Sequence, residues 1–179
     1  MSDGFAKKYL PEFVYGGVDG SITTFAVVAG ATGASLSSAI VLILGFANLF
    51  ADGFSMTVSN YLSTKSQVEV NRDHKKLNGK NLEFKHPVKT ALATFISFVV
   101  IGLIPLLSFL FALFIPALEE KSFFYSFILT GIALLFVGAV KGEVVKKHPV
   151  KASLETLFIG GIAAIIAYSV GYLLRGIGG

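Results

Sequence analysis

The sequence predicts an all-α integral membrane protein of five transmembrane helices in one domain, with the N-terminus cytoplasmic and the C-terminus outside. Three observations predict it. Of the 179 residues, 54% are hydrophobic and the mean hydropathy is +0.73, far above an ordinary soluble domain. The apolar residues gather into five runs, about 13–31, 36–62, 90–114, 123–140 and 154–174, each long enough to cross a bilayer. The basic residues alternate between loops. Lys7 and Lys8, then Lys65, Arg72, Lys75, Lys76, Lys80, Lys85 and Lys89, then Lys141, Lys146, Lys147 and Lys151 fall on one side, with Lys121 and Arg175 on the other. That is the positive-inside pattern for five spans. It accounts for the formal charge of +4 and the pI near 9.3 without nucleic acid, which is not expected as a partner. The absence of cysteine excludes disulfides, thiolate metal sites and cysteine nucleophiles.

Residues 1–12 are polar or amphipathic, and with no small-residue cleavage site after Lys7 and Lys8, no cleaved signal peptide is expected. The first span holds Gly16 and Gly20 four residues apart, a spacing for close helix packing, with Asp19 between them. The second span is followed by a short basic cytoplasmic loop, 63–89, whose Glu69, Asp73, His74 and Glu83 read as a solvated helical extension of mixed charge rather than a metal site. Asn78-Gly79 is a turn signal. In the third span Pro105 removes a backbone donor and predicts a kink. Pro116, Glu119, Glu120 and Lys121 make a solvated turn, and a phenylalanine-rich fourth span follows. The segment Lys147-His148-Pro149-Val150-Lys151 then repeats Lys85-His86-Pro87-Val88-Lys89 word for word. Each copy reads as a helix start with proline in the first turn and a basic collar at the membrane surface. The fifth span carries Gly160-Gly161, Ala163, Ala167 and Gly171, a packing stripe of small residues.

The chemistry sits in the second span. Asn48, Asp52 and Met56 follow at i, i+4 and i+8, a stripe about 80° wide on a helix. An aspartate at mid-membrane costs about 2.5–3.5 kcal/mol on insertion scales, and Asp19 repeats that cost in the first span. No lysine or arginine lies within a span to offset it. Carboxylate and amide oxygens beside a thioether suit a borderline divalent ion such as Fe²⁺, Co²⁺ or Mn²⁺, with Zn²⁺ also admitted. A carboxylate out of water favours its protonated form and a neighbouring cation favours the ionised one, so one site can alternate between metal and proton. Glu12, Glu143 and Glu155, near the cytoplasmic ends of spans, are candidate entrance residues. No permanently bound cofactor is expected.

Three segments carry a resemblance. Tyr15-Gly-Gly-Val-Asp-Gly-Ser-Ile-Thr-Thr-Phe-Ala-Val-Val-Ala-Gly, Phe54-Ser-Met-Thr-Val-Ser-Asn-Tyr-Leu-Ser-Thr-Lys-Ser and Ile159-Gly-Gly-Ile-Ala-Ala resemble the vacuolar iron transporter family. The resemblance implies a five-helix protomer, a homodimer with its ion path near the interface, and proton-coupled movement of Fe²⁺ or Mn²⁺ out of the cytosol. It also implies that Asp19 is the transport aspartate and Met56 the translocation methionine. The chain departs from better-known members in two ways. Asn48 stands where they carry a glutamate, with the acid one turn on at Asp52, and the short loop replaces a glutamate-rich cytoplasmic domain between helices two and three.

The resulting expectation is a divalent metal transporter rather than an enzyme, since no span holds a histidine or paired-acid constellation. Its compact form resembles prokaryotic members, so the cell membrane is the expected address and an organellar membrane the fallback. The alternative in another class is a non-transporting scaffold or regulatory subunit whose buried acids fix helix packing.

Overall fold

The computed structural model describes residues 2–78 and 85–176, with side chains over 8–72 and 85–176; the side chains of Asp73 and His74, and Glu83 and Gly79 altogether, lie outside that description, and Asn78 ends α2. Six α-helices follow one another: α1 (Ser2–Gly33), α2 (Ser38–Asn78), α3 (Pro87–Gly102), α4 (Ile104–Ala112), α5 (Ser122–Val144) and α6 (Pro149–Leu174), with a 3₁₀ helix at Pro116–Lys121. The described residues hold no strand. Helices α1, α2, α5 with its preceding 3₁₀ turn, and α6 are each long and apolar enough to cross a membrane, and α3 with α4 makes a fifth, bent span.

That bend has a local cause. Pro105 has no N–H to give the carbonyl one turn back, so the chain turns by 42° between α3 and α4. Ser126 Oγ on α5 donates to the Pro105 carbonyl at 2.6 Å, so the break is covered by another helix. Both copies of the repeated pentapeptide start helices. His86 and His148 are extended N-cap residues, and Pro87 and Pro149 open the first turns of α3 and α6.

Helix α2 continues well past Leu62. It keeps its helix through the polar stretch to Asn78 because no glycine or proline interrupts residues 54–78 and glutamine, lysine and glutamate there are good helix formers. At about 1.5 Å per residue its 41 residues span roughly 60 Å, twice the hydrocarbon thickness, so its C-terminal part stands clear of the bilayer.

Helix α1 lies at the centre and packs against α2, α3, α4, α5 and α6. Glycine makes that possible: a Cβ on Gly20 would stand 3.0 Å from the Phe98 Cα and closer still to its carbonyl oxygen, and one on Gly16 would strike Ser97 and Thr94 of α3. At the other end Gly30 and Gly33 meet Ala167, Tyr168 and Gly171 of α6 in the same way. The main core gathers Phe25, Val28, Leu49, Phe98, Leu106 and Phe109, and a smaller one Val14, Ile101, Ala133 and Val137. Buried hydroxyls bond back to the preceding turn, as Ser21 does to Gly17 at 2.8 Å and Thr130 to Ser126 at 2.7 Å. The outer faces carry Ile43, Phe54, Ile96, Phe136, Phe158 and Ile165, all exposed, a surface suited to lipid rather than water.

Candidate functional site

The site is built where α2 crosses α1. Asp19 is half-buried on α1 and Asp52 half-buried on α2, and the two carboxylates are electrostatic neighbours across that crossing. Among the described residues neither is hydrogen-bonded or ion-paired through its side chain, so no basic group neutralises them. One turn from Asp52, Met56 is half-buried and touches two environments. It packs on the core that includes Leu49 and Phe98, and it also lines a polar groove. One turn the other way, the amide nitrogen of Asn48 is buried with no hydrogen-bond partner among the described residues. Its oxygen and nitrogen exchange places on a flip of the side chain, so this position offers an uncommitted amide.

The groove holds about 630 Å³ and runs from Met56 along α2 to Asn71. Its α2 wall includes Met56, Asn60, Ser63 and Gln67, whose 4-3-4 spacing keeps them within about 60° of one helix face. Ser55 and Ser59 add hydroxyls, and Glu12 and Tyr15 of α1 form the opposite wall with Lys85. Part of this polarity is structural: Asn60 Nδ2 donates to Thr94 Oγ1 at 2.8 Å, and Thr64 Oγ1 donates to Asn60 Oδ1 at 3.2 Å, tying α2 to α3.

Of the residues singled out in the sequence, Glu12 and Met56 share the groove, and Asp19 and Asp52, outside its lining, are electrostatic neighbours. Gly16 and Gly20 seat α1 on α3. Glu143 and Glu155 stand elsewhere, exposed on α5 and α6, where Glu155 lies 3.7 Å from Lys141. Sequence reasoning passed over Tyr15, Ser59, Asn60, Ser63, Gln67 and Lys85. The 4-3-4 polar spacing was a readable signal for the α2 residues, but nothing local announced Lys85. Among the described residues no three His, Asp or Glu side chains come together, so any ion here is held by few acids with neutral donors.

Comparison with known proteins bears directly on this arrangement. The family model described as the VIT family matches residues 10–85 and 72–172, nearly the whole chain. The chain belongs to the VIT family. A Toxoplasma gondii protein named vacuolar iron transporter is 27% identical over 228 aligned positions, covering 95% of this chain and 76% of that protein. One of the same name from Plasmodium berghei is 27% identical, with 94% and 83% covered. Another from Centaurea cyanus is 29% identical, with 92% and 87% covered. VIT proteins are membrane transporters and not enzymes, and this VIT chain is a multi-pass membrane protein of that kind. The alignments run longer than its 179 residues, so the relatives carry residues it lacks. The two matched stretches overlap at residues 72–85, which begin in the last turns of α2 and end two residues before α3.

Proposed function

We propose that this VIT protein moves Fe²⁺ or Mn²⁺ out of the cytosol in exchange for protons, as a homodimer. One observation carries the reading. Two carboxylates, Asp19 and Asp52, are electrostatic neighbours within membrane-spanning helices without a basic partner among the described residues, and Asp52 lies one helical turn from Met56, which lines a polar groove. Two such acids need cations, either a metal ion or protons. Iron is favoured by the name the relatives carry, and manganese is admitted by a donor set that is mostly oxygen. The groove, with Glu12 at its mouth, receives the ion from the cytosol. Met56, Asp52 and Asp19 carry it inward, and Asn48 supplies an amide one turn beyond.

A second copy fits against α2. Ala47, Ala51, Ser55 and Ser59, spaced four apart, are all exposed beside the half-buried Asp52 and Met56. Small residues in that spacing let helices approach closely, and a partner there would enclose a path that one protomer leaves open on its side. The short α2–α3 connection supports the cell membrane of a prokaryote as the address.

The test is flux of Fe²⁺ and Mn²⁺ into proteoliposomes with and without an imposed pH gradient, beside the Asp19→Ala protein. Saturable, gradient-dependent flux that the variant loses is the expected result. Absence of flux for both ions overturns the reading and favours a scaffold.

A further inference from the structure

An ion pair stands in the wall of the groove. Lys85, the residue before the N-cap of α3, places its Nζ 2.7 Å from Glu12 Oε1 on α1, bridging 73 positions of sequence. The burial is unequal: the Glu12 side chain is 13% exposed and that of Lys85 37%. The second carboxylate oxygen, Oε2, is buried and has no hydrogen-bond partner among the described residues. A carboxylate so far out of water needs a cation, and the ammonium satisfies only one of its two oxygens. The lysine is held close by its backbone, because the His86 N–H donates to the Tyr9 hydroxyl at 3.3 Å, three residues before Glu12. Among the described residues lining the groove, Glu12 is the acid and Lys85 the basic residue.

We propose that Lys85 is a tethered cation occupying the first divalent-ion site of the groove, and that an entering metal ion must displace it from Glu12. The proposal rests on the reading of the groove as the cytosolic end of a cation path. A tethered ammonium competes at a high effective concentration, which weakly bound monovalent ions do not overcome. A divalent ion brings twice the charge and engages both carboxylate oxygens, and Ser59, Ser63 and Gln67 line the same groove as neutral oxygen donors. Lys85 thus acts as a specificity-determining residue: it raises the concentration of metal needed for entry and screens out cations that bind carboxylates weakly. When the ion passes inward, the ammonium returns and closes the mouth.

The experiment measures Mn²⁺ binding calorimetrically to the purified full chain, in the wild-type background and in the Asp19→Ala background, where the inner site loses one of its two carboxylates. Lys85→Met should bind Mn²⁺ about ten-fold more tightly in both backgrounds, and Lys85→Arg should not, because removing one partner of a half-buried pair leaves the other charge uncompensated. The gain should vanish when Glu12→Gln is added, and in vesicles Lys85→Met should lower the KM for Mn²⁺. Lys85→Gln, which keeps a donor to Glu12 without the charge, carries the same expectation if the methionine variant does not fold. Unchanged binding in Lys85→Met and Lys85→Gln, or a gain that survives Glu12→Gln, overturns the proposal. A Glu12-dependent gain in protein that moves no ion would retain it while removing the transport reading; pH-coupled flux without the gain would do the reverse.

Discussion

Met56 is where packing and ion chemistry separate most cleanly, because the side chain meets the Leu49–Phe98 core on one side and the groove on the other. Replacing it with leucine conserves volume, and such swaps in cores cost under about 1.5 kcal/mol. Truncation to alanine costs about 2–5 kcal/mol for a fully buried methionine, so roughly half of that applies to this half-buried one. Leucine should therefore leave the melting temperature in detergent near wild type while alanine lowers it clearly. If the thioether is a ligand, both variants lose it equally. One ligand worth about 1.4 kcal/mol is a factor of about ten, so Met56→Leu should raise the KM for Fe²⁺ about ten-fold. The effect should be smaller for Mn²⁺, which leans more on oxygen donors. Flux at graded ion concentration beside a thermal melt reads both quantities. A leucine variant with wild-type KM for both ions, beside an alanine variant that fails only by unfolding, would show that Met56 is packing alone.

Four further outcomes are expected. Gly20→Ala should destabilise by about 1–3 kcal/mol in detergent unfolding, because its Cβ meets Phe98 backbone that has nowhere to go. Gly161→Ala should be neutral or stabilising by up to about 1 kcal/mol, since no heavy atom among the described residues lies within 4 Å of the added carbon. Ser35→Gly should stabilise by about 0.5–1 kcal/mol, measured by the same melt, because Ser35 closes α1 at φ 57° in the left-handed region that glycine occupies freely. In the cysteine-free chain, Ala51→Cys should form a disulfide-linked dimer on mild oxidation in membranes and an exposed residue of α6 such as Ile165→Cys should not; the reverse pattern on a non-reducing gel would remove the α2 interface.

The spans were legible because each is a long apolar run, and hydrocarbon leaves the backbone little choice but helix. The Pro105 bend was legible for a local reason too, a missing donor. The end of α2 rests on two signals, and the sequence reading put the span's end at Leu62 with a solvated helical extension beyond it. Polarity after Leu62 signals departure from the bilayer, whereas helix persistence depends on the absence of glycine and proline, and the two boundaries differ by sixteen residues. In the site, Asp19, Asp52 and Met56 were conspicuous as polar or soft groups in apolar surroundings. The hydroxyl and amide wall from Ser59 to Gln67 was less conspicuous because serine costs little in a membrane helix. The Lys85–Glu12 pair depends on a contact across 73 positions, and no local pattern encodes it.

The glycine contacts also explain why the two acids are on different kinds of support. Asp19 is flanked by Gly16 and Gly20, which set α1 directly on the α3 backbone, so that carboxylate is carried by a helix pinned along both ends, with Gly30 and Gly33 doing the same against α6. Asp52 and Met56 ride on α2, which touches the rest of the bundle mainly through α3 and α1 and keeps Ala47, Ala51 and Ser55 exposed. Movement of α2 against a fixed α1 changes the Asp19–Asp52 separation and the groove together, whereas movement of α1 must first break glycine contacts that no side chain can relax. The backbone-to-backbone glycine contacts therefore seat Asp19 more firmly than Asp52 and Met56, whose helix meets its neighbours through side chains such as Leu106 and Phe98.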